Sequence, residues 1–375
     1  MSGWYFFYFA LIGAFSPYFT LYLQSLGFAA ASIATLMSLM SATRLLAPNL
    51  WGWLADRSGR TILVLRVSAL LSMAGFAGFF FTDAFWPAFV AMAVTSFFWS
   101  AALPLVEALT LRHLAGRVEL YGLIRMWGSI GFIAAVLGTG AWLDRAPVAT
   151  LLWIVLALLA GIALCSWVIA DSSPAAVAGP RLPLRGGMRR PEALALLAAG
   201  FFMSAAHGPF YVFYSIHLIE HGYGKATIGV LWSLGVVAEI VVFVAMPRLL
   251  RSWSIRAILM GAFLAAMVRF LLIGWFADTF VILLLAQLMH GATFGAHHAA
   301  SVAALNHWFP ARQQARVQAM YGSISFGAGG MLGNLLSGAF WETMGSGLTF
   351  SGAAVLAAVG LLLVWRGIGS GSPVR

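Results

Sequence analysis

Residues Ser96–Leu111 read SFFWSAALPLVEALTL, apolar apart from a few hydroxyls and one carboxylate, Glu107. They close an apolar run over 87–110. At about 1.5 Å per residue such a run crosses a hydrocarbon core of about 30 Å as a helix. About twelve runs of this kind follow one another, near 4–23, 31–51, 61–81, 87–110, 121–143, 148–169, 192–219, 226–247, 256–276, 279–303, 317–340 and 347–366. A membrane β-barrel would instead alternate over segments of roughly ten residues. Continuous runs predict helices, which satisfy their own backbone in lipid. The first run follows MSGW with no basic segment ahead of it, and is expected to stay as a helix rather than be cleaved as a signal peptide.

Composition agrees with this reading. The 375 residues are 62% hydrophobic and only 9% charged, whereas an ordinary soluble domain is about 45–50% apolar. A net charge of +10 raises the question of nucleic acid. The distribution of the cations argues against it. Counting loops alternately, seventeen of the twenty-one Lys and Arg fall on one side, among them Arg57, Arg60, Arg112, Arg190, Arg256 and Arg312. Arg145 and Lys225 fall on the other, with Asp83, Asp144, Glu220, Asp278 and Glu342. This is the positive-inside pattern, and it predicts cytoplasmic termini. No stripe of interleaved aromatic and basic residues outside the runs supports a nucleic-acid partner. The single cysteine, Cys165, lies within an apolar run and reads as a small buried packer.

The longest polar stretch is 171–190, which holds three prolines, three glycines and four arginines, with six runs before it and six after. A Pro/Gly/Arg linker between equal halves predicts two repeated bundles, 1–170 and 191–375, joined by a cytoplasmic segment over 171–190. The expected fold is therefore all-α and polytopic, with 12 transmembrane helices in two six-helix pseudo-symmetric bundles.

Between the second and third runs lies GWLADRSGRT, Gly52–Thr61. This pattern resembles the signature loop of the major facilitator superfamily. Gly52 and Gly59 suit a tight turn, Asp56 can accept from a basic side chain or a helix N-terminus, and Arg57 and Arg60 anchor the cytoplasmic side. Further stretches are similar to the proton-symporter branch of that superfamily that contains the phenylpropionate and lactose permeases. They are YGLIRMWGSIGF (Tyr121–Phe132), GVLWSLGVVAEI (Gly229–Ile240), LMHGATFGAHH (Leu288–His298) and FWETMG (Phe340–Gly345). The resemblance implies a transporter of a small organic solute in a bacterial inner membrane, working by alternating access as a monomer. It implies coupling to protons, with an aromatic carboxylate such as 3-phenylpropionate as the first candidate and a sugar or nucleoside as the second. From another class, a non-transporting membrane sensor or a membrane-embedded enzyme remains open. The sequence has no nucleophile–base pair, phosphate loop or metal constellation in favour of an enzyme, and it calls for no cofactor.

Ionisable residues inside the runs carry the remaining information, because each costs about 2.5–3.5 kcal/mol at mid-membrane on insertion scales. Glu107 and Arg125 are symmetric about Gly116 in a cytoplasmic turn, so an antiparallel hairpin sets them at one level. The resemblance implies that this pair faces a central cavity and binds substrate, with Arg125 neutralising a carboxylate. A purely structural ion pair is the alternative. Glu239, Arg269 and His290 likewise converge at one depth when their three runs are folded back on each other. A Glu–Arg–His set suits proton coupling, since its charges rearrange when the carboxyl takes a proton, and the resemblance implies that role. The lactose-permease pattern within that branch has a second carboxylate three residues after the histidine, where this chain has Thr293. His207 is a candidate cavity residue, with Phe210, Tyr211, Phe213 and Tyr214 as candidate flanks of an aromatic ligand. His290 and His297 stand seven residues apart. That is about 10 Å along a helix, too far for one metal with bonds near 2 Å, so no metal site is expected.

Overall fold

In the computed structural model, residues 1–114, 117, 120–171 and 190–369 are described. Of the linker expected at 171–190 only the two end residues fall among them, and Gly116 lies outside them. The regular elements among the described residues are all helical. In chain order they are α1 (Ser2–Ser25), α2 (Ala30–Ser58), α3 (Thr61–Ala77), α4 (Phe85–Trp99), α5 (Ala102–Leu114), α6 (Tyr121–Leu143) and α7 (Leu151–Val168). Next come α8 (Pro191–Ala206), α9 (Gly208–Glu220), α10 (Lys225–Ser252), α11 (Ile255–Trp275), α12 (Phe280–Leu288), α13 (His297–Trp308), α14 (Ala311–Gly322) and α15 (Gly330–Gly367).

Several of these join into longer elements, and eleven are long and apolar enough to cross a membrane among the described residues. The sequence count is twelve. The difference lies at the end, where the expected runs 317–340 and 347–366 form one element, Arg312–Gly367. That element is broken at Gly345, whose φ of 78° and ψ of 171° are non-helical. Only glycine takes such a backbone without strain. Two prolines also mark breaks. Helices α4 and α5 part at Ser100–Ala101, just before Pro104, and α8 and α9 part at His207, just before Pro209. A proline lacks the N–H that would bond the carbonyl four residues back. By contrast Pro17 and Pro48 sit inside continuous helices.

The chain divides into two compact units, Met1–Gly179 with Tyr223–Val230, and Pro180–Gly222 with Leu231–Arg375. In the first, α1 packs along α6 so closely that a Cβ on Gly131 would fall on the Phe6 carbonyl, and one on Gly13 on the Phe132 carbonyl. The second unit repeats this device: a Cβ on Gly329 would strike the Phe201 carbonyl, and one on Gly333 the Ala205 carbonyl. In lipid, helices associate through such small-residue contacts. A second device also recurs. Arg66 on α3 donates to the Ser166 and Ile169 carbonyls at 3.1 and 3.2 Å, closing the end of α7. Arg256 on α11 donates to the Trp365 carbonyl at 2.7 Å, near the end of α15. A cation satisfies the free carbonyls of a helix C-terminus and its negative dipole end.

Large apolar side chains stay exposed on both units, including Trp153, Leu164 and Val168 on the first and Val244, Val355 and Leu362 on the second. Such faces are unfavourable in water and suit a hydrocarbon solvent. Also within the first unit, the Asp144 carboxylate just past α6 accepts from the Lys225 and Ala226 amides at 2.6 and 3.0 Å. The start of α10, preceded by Gly224, is thus capped by a side chain distant in sequence.

Candidate functional site

Among the described residues, one polar cluster in each unit gathers the ionisable groups singled out in the sequence. In the first unit Pro104 breaks the span so that α5 carries Glu107 as part of a separate helix. Arg125 sits one turn into α6, where its Nε stands 3.9 Å from Glu107 Oε1, and both side chains are over a third exposed (37% and 38%). The Tyr121 hydroxyl donates to the same carboxylate oxygen at 3.3 Å. The guanidinium of Arg125 lies over the Phe9 ring, 4.3 Å from its centroid, and 5.6 Å from that of Tyr5. Tyr8 continues this aromatic wall, stacked between Trp4 and Trp99 at 4.9 and 5.1 Å. A long, half-exposed ion pair of this kind contributes little stability. It leaves donor and acceptor capacity for another molecule, beside rings that attract cations and pack aryl groups.

The signature stretch occupies the junction of α2 and α3. Gly59 ends α2 in the left-handed region, φ 63°, with its amide bonded to the Ala55 carbonyl. Asp56 and Arg57 belong to the last turn of α2, Arg57 lies 5.6 Å over Trp53, and Arg60 begins α3 with its amide on Ser58 Oγ. Gly52, expected to help the turn, lies inside α2 instead. The helix runs past the apolar core before it stops, so only Gly59 is needed for the reversal.

In the second unit the break at Pro209 sets His207 between α8 and α9. Its Nδ1 faces the Met203 carbonyl at 2.8 Å, so Nδ1 carries the hydrogen and Nε2 keeps its lone pair. Arg269 on α11, fully buried, donates from Nε to the Ala286 carbonyl at 2.9 Å and from Nη1 to Thr293 Oγ1 at 3.2 Å and His207 Nε2 at 3.4 Å. Its guanidinium lies 4.2 Å over the Phe210 ring. Glu239 on α10 pairs with His290, Oε1 to Nε2 at 2.7 Å. Immediately after His290 the helix loosens to a π turn, Gly291–Ala296, which carries Thr293. Such turns insert one extra residue per turn and re-aim side chains.

The three residues whose spacing predicts convergence therefore lie in one buried cluster, yet Arg269 does not pair with Glu239. Thr293 is a neutral partner of Arg269. His207 is 2% exposed and bonded into this cluster. Of its aromatic neighbours, Phe213 stacks on Trp341 at 4.4 Å, while Phe210 and Tyr211 surround His207, His290 and Trp232. Sequence reasoning missed Gln287, one turn before His290 and completely buried. A glutamine inside the apolar run FVILLLAQL was the available signal. It also missed Tyr121 and the α1 aromatics, which only the fold brings to Arg125.

Comparison with known proteins completes the picture. Residues 1–352 match the MFS_1 like family. The chain is 28% identical over 367 residues to the probable 3-phenylpropionic acid transporter of Escherichia coli (strain K12), covering 92% of this chain and 91% of that protein. It is 27% identical to the maltose permease of Geobacillus stearothermophilus, over 96% and 92% of the two chains. In three dimensions it is similar to the crystal structure of a mutant of the nucleoside transporter NupG, with a TM-score of 0.85, 19% identity and 97% of each chain covered. The exposed apolar helices, the twin polar clusters and a match over almost the whole length lead to one conclusion: the chain belongs to the MFS_1 like family and is a multi-pass membrane transporter of the major facilitator superfamily, not an enzyme.

Proposed function

We propose that this transporter carries an aromatic carboxylate such as 3-phenylpropionate into the cell together with a proton, by alternating access. The observation that carries the reading is the half-exposed Glu107–Arg125 pair, 3.9 Å apart and set against Phe9 and Tyr5. Arg125 offers a guanidinium to a solute carboxylate, and the rings offer an apolar face to its aryl group. The similarity to a probable 3-phenylpropionic acid transporter favours the same chemistry. Glu239 and His290 are the proposed proton carriers, with Arg269 holding their surroundings positive. His207 joins the substrate contacts through this cluster.

The rest of the reading is a bacterial inner-membrane monomer of twelve spans in two six-helix bundles, with both termini cytoplasmic. Two points support it. The 56-residue Arg312–Gly367 element would extend about 84 Å if straight, enough for two crossings, and it breaks at Gly345. The Lys/Arg asymmetry of the loops supports that orientation. The turn of Asp56, Arg57, Gly59 and Arg60, with Gly52 in the preceding helix, is proposed as the cytoplasmic gate.

A sugar or nucleoside symporter is the second reading. It is favoured by the maltose permease similarity and by the Tyr121 hydroxyl already donating to Glu107, as a solute hydroxyl would. Uptake into proteoliposomes decides between them. Accumulation of labelled 3-phenylpropionate under an inside-alkaline gradient is the expected result. Accumulation of maltose or a nucleoside, with none of the acid, would replace the first reading by the second.

A further inference from the structure

Among the described residues, Arg269 is a buried cation in no direct ion pair. Its side chain is fully buried, and among the described residues every group it bonds is neutral: the Ala286 carbonyl, the Thr293 hydroxyl and the neutral Nε2 of His207. The nearby carboxylate, Glu239, is held by His290 at 2.7 Å. Arginine does not lose its proton in proteins, so neutralising the side chain is not open to this site. An unpaired charge in a membrane span is costly, and such residues pair with an opposite charge or mark a ligand route.

The donors still free point to the class of ligand. Among the described residues Arg269 Nη2 has no hydrogen-bond partner, and neither amide atom of Gln287 has one, although Gln287 too is fully buried. The two residues are adjacent, because Arg269 Nε bonds the carbonyl of Ala286, the residue before Gln287. Gln287 Oε1 and the His290 ring both pack against Gly235, where even a Cβ would come to 3.3 Å of each. Phe210 floors the guanidinium, and Trp232 lies 4.8 Å from Phe210. Glu239 and Tyr211, both partly exposed, form the edge of the cluster.

We infer that Arg269 and Gln287 form a carboxylate-binding subsite inside the second unit, in which Arg269 Nη2 and the Gln287 amide donate to the two oxygens of an organic acid. The aryl group of that acid packs on Phe210 and Trp232. The inference rests on the aromatic-acid reading above and adds a second anion contact to the one at Arg125. Its chemical logic is charge balance: Thr293 offers Arg269 only a neutral hydroxyl, and the solute supplies the missing charge.

The test compares 3-phenylpropionate with its neutral analogue 3-phenylpropan-1-ol by calorimetry on the purified, full-length protein. Gln287→Leu removes the amide and adds no new unpartnered polar atom, so it keeps the fold. It should weaken the acid about 10-fold, as for one charge-assisted hydrogen bond, and leave the alcohol unchanged. Thr293→Asp gives Arg269 a carboxylate of its own and should abolish acid binding while the alcohol still binds. Equal losses for acid and alcohol, or acid binding intact in both variants, would overturn the subsite alone. Failure of the wild-type protein to bind any aromatic acid would overturn the aromatic-acid reading and the subsite together.

Discussion

His290 Nε2 stands 2.7 Å from Glu239 Oε1, on two helices whose sequence positions are fifty-one residues apart. The imidazole and carboxylate are within hydrogen-bond distance, and a proton taken up at the pair adds one positive charge to it. Glu239→Gln keeps the shape and a hydrogen bond but removes the proton site. It is expected to abolish uphill accumulation driven by a pH gradient while sparing solute exchange at equal pH on both sides. Wild-type accumulation in that variant, measured in proteoliposomes, would end the assignment of Glu239 as proton carrier.

Arg125 is held by one long contact to Glu107 and lies over Phe9. Arg125→Ala leaves Glu107 as an unbalanced carboxylate, which repels an acid and is indifferent to an alcohol. Binding of 3-phenylpropionate should fall at least 10-fold, and that of the neutral analogue by less than about 3-fold, since exposed pairs are worth at most about 1 kcal/mol to the fold itself. Titration calorimetry on the two solutes reads the difference, and equal losses would remove the carboxylate role.

These two clusters differ in how far the sequence revealed them. Glu107 and Arg125 share a hairpin, so spacing about a turn was enough to bring them together. The second cluster is a partial match. Spacing sets Glu239, Arg269 and His290 at one depth but says nothing of which way each side chain turns. The π turn after His290 and the break at His207 decide that, and both are local responses to glycines and a proline that hydropathy does not register. The count of spans turns on the same kind of detail. A residue with φ 78° at Gly345 interrupts an otherwise continuous helix, and where one span ends and the next begins is a matter of backbone geometry. The overall helical membrane fold, by contrast, follows from the runs themselves, because a continuous apolar run satisfies its backbone in lipid as a helix, whereas barrel strands alternate.

Asp56 lies in the last turn of α2, three residues before the left-handed Gly59. A gate residue acts on the rate at which the cytoplasmic side opens and closes, not on the solute contacts. Asp56→Asn should therefore slow turnover several-fold with little change in Kd. Counterflow rates and equilibrium binding, measured on the same preparation, separate the two. A large loss of affinity at normal turnover would remove Asp56 from the gate.

Asp144 accepts from the first two amides of α10, Lys225 at 2.6 Å and Ala226 at 3.0 Å, while the residue ahead of that helix, Gly224, has no side chain to cap it. A carboxylate at a helix N-terminus satisfies free N–H groups and meets the positive end of the dipole, worth about 0.5–2 kcal/mol. Asp144→Ala should lower the melting temperature of the protein in detergent by a few degrees. Gly224→Ser in the same background should restore most of it, because a serine directly before Lys225 can cap α10 locally. The space for that side chain is the space the Asp144 carboxylate leaves, since a Cβ at Gly224 would meet Asp144 Oδ2 at 3.2 Å. In the wild-type background the same serine would crowd Asp144 and bring no gain. Recovery in both backgrounds alike would mean that the serine acts by stiffening the loop, and the capping role of Asp144 would fall.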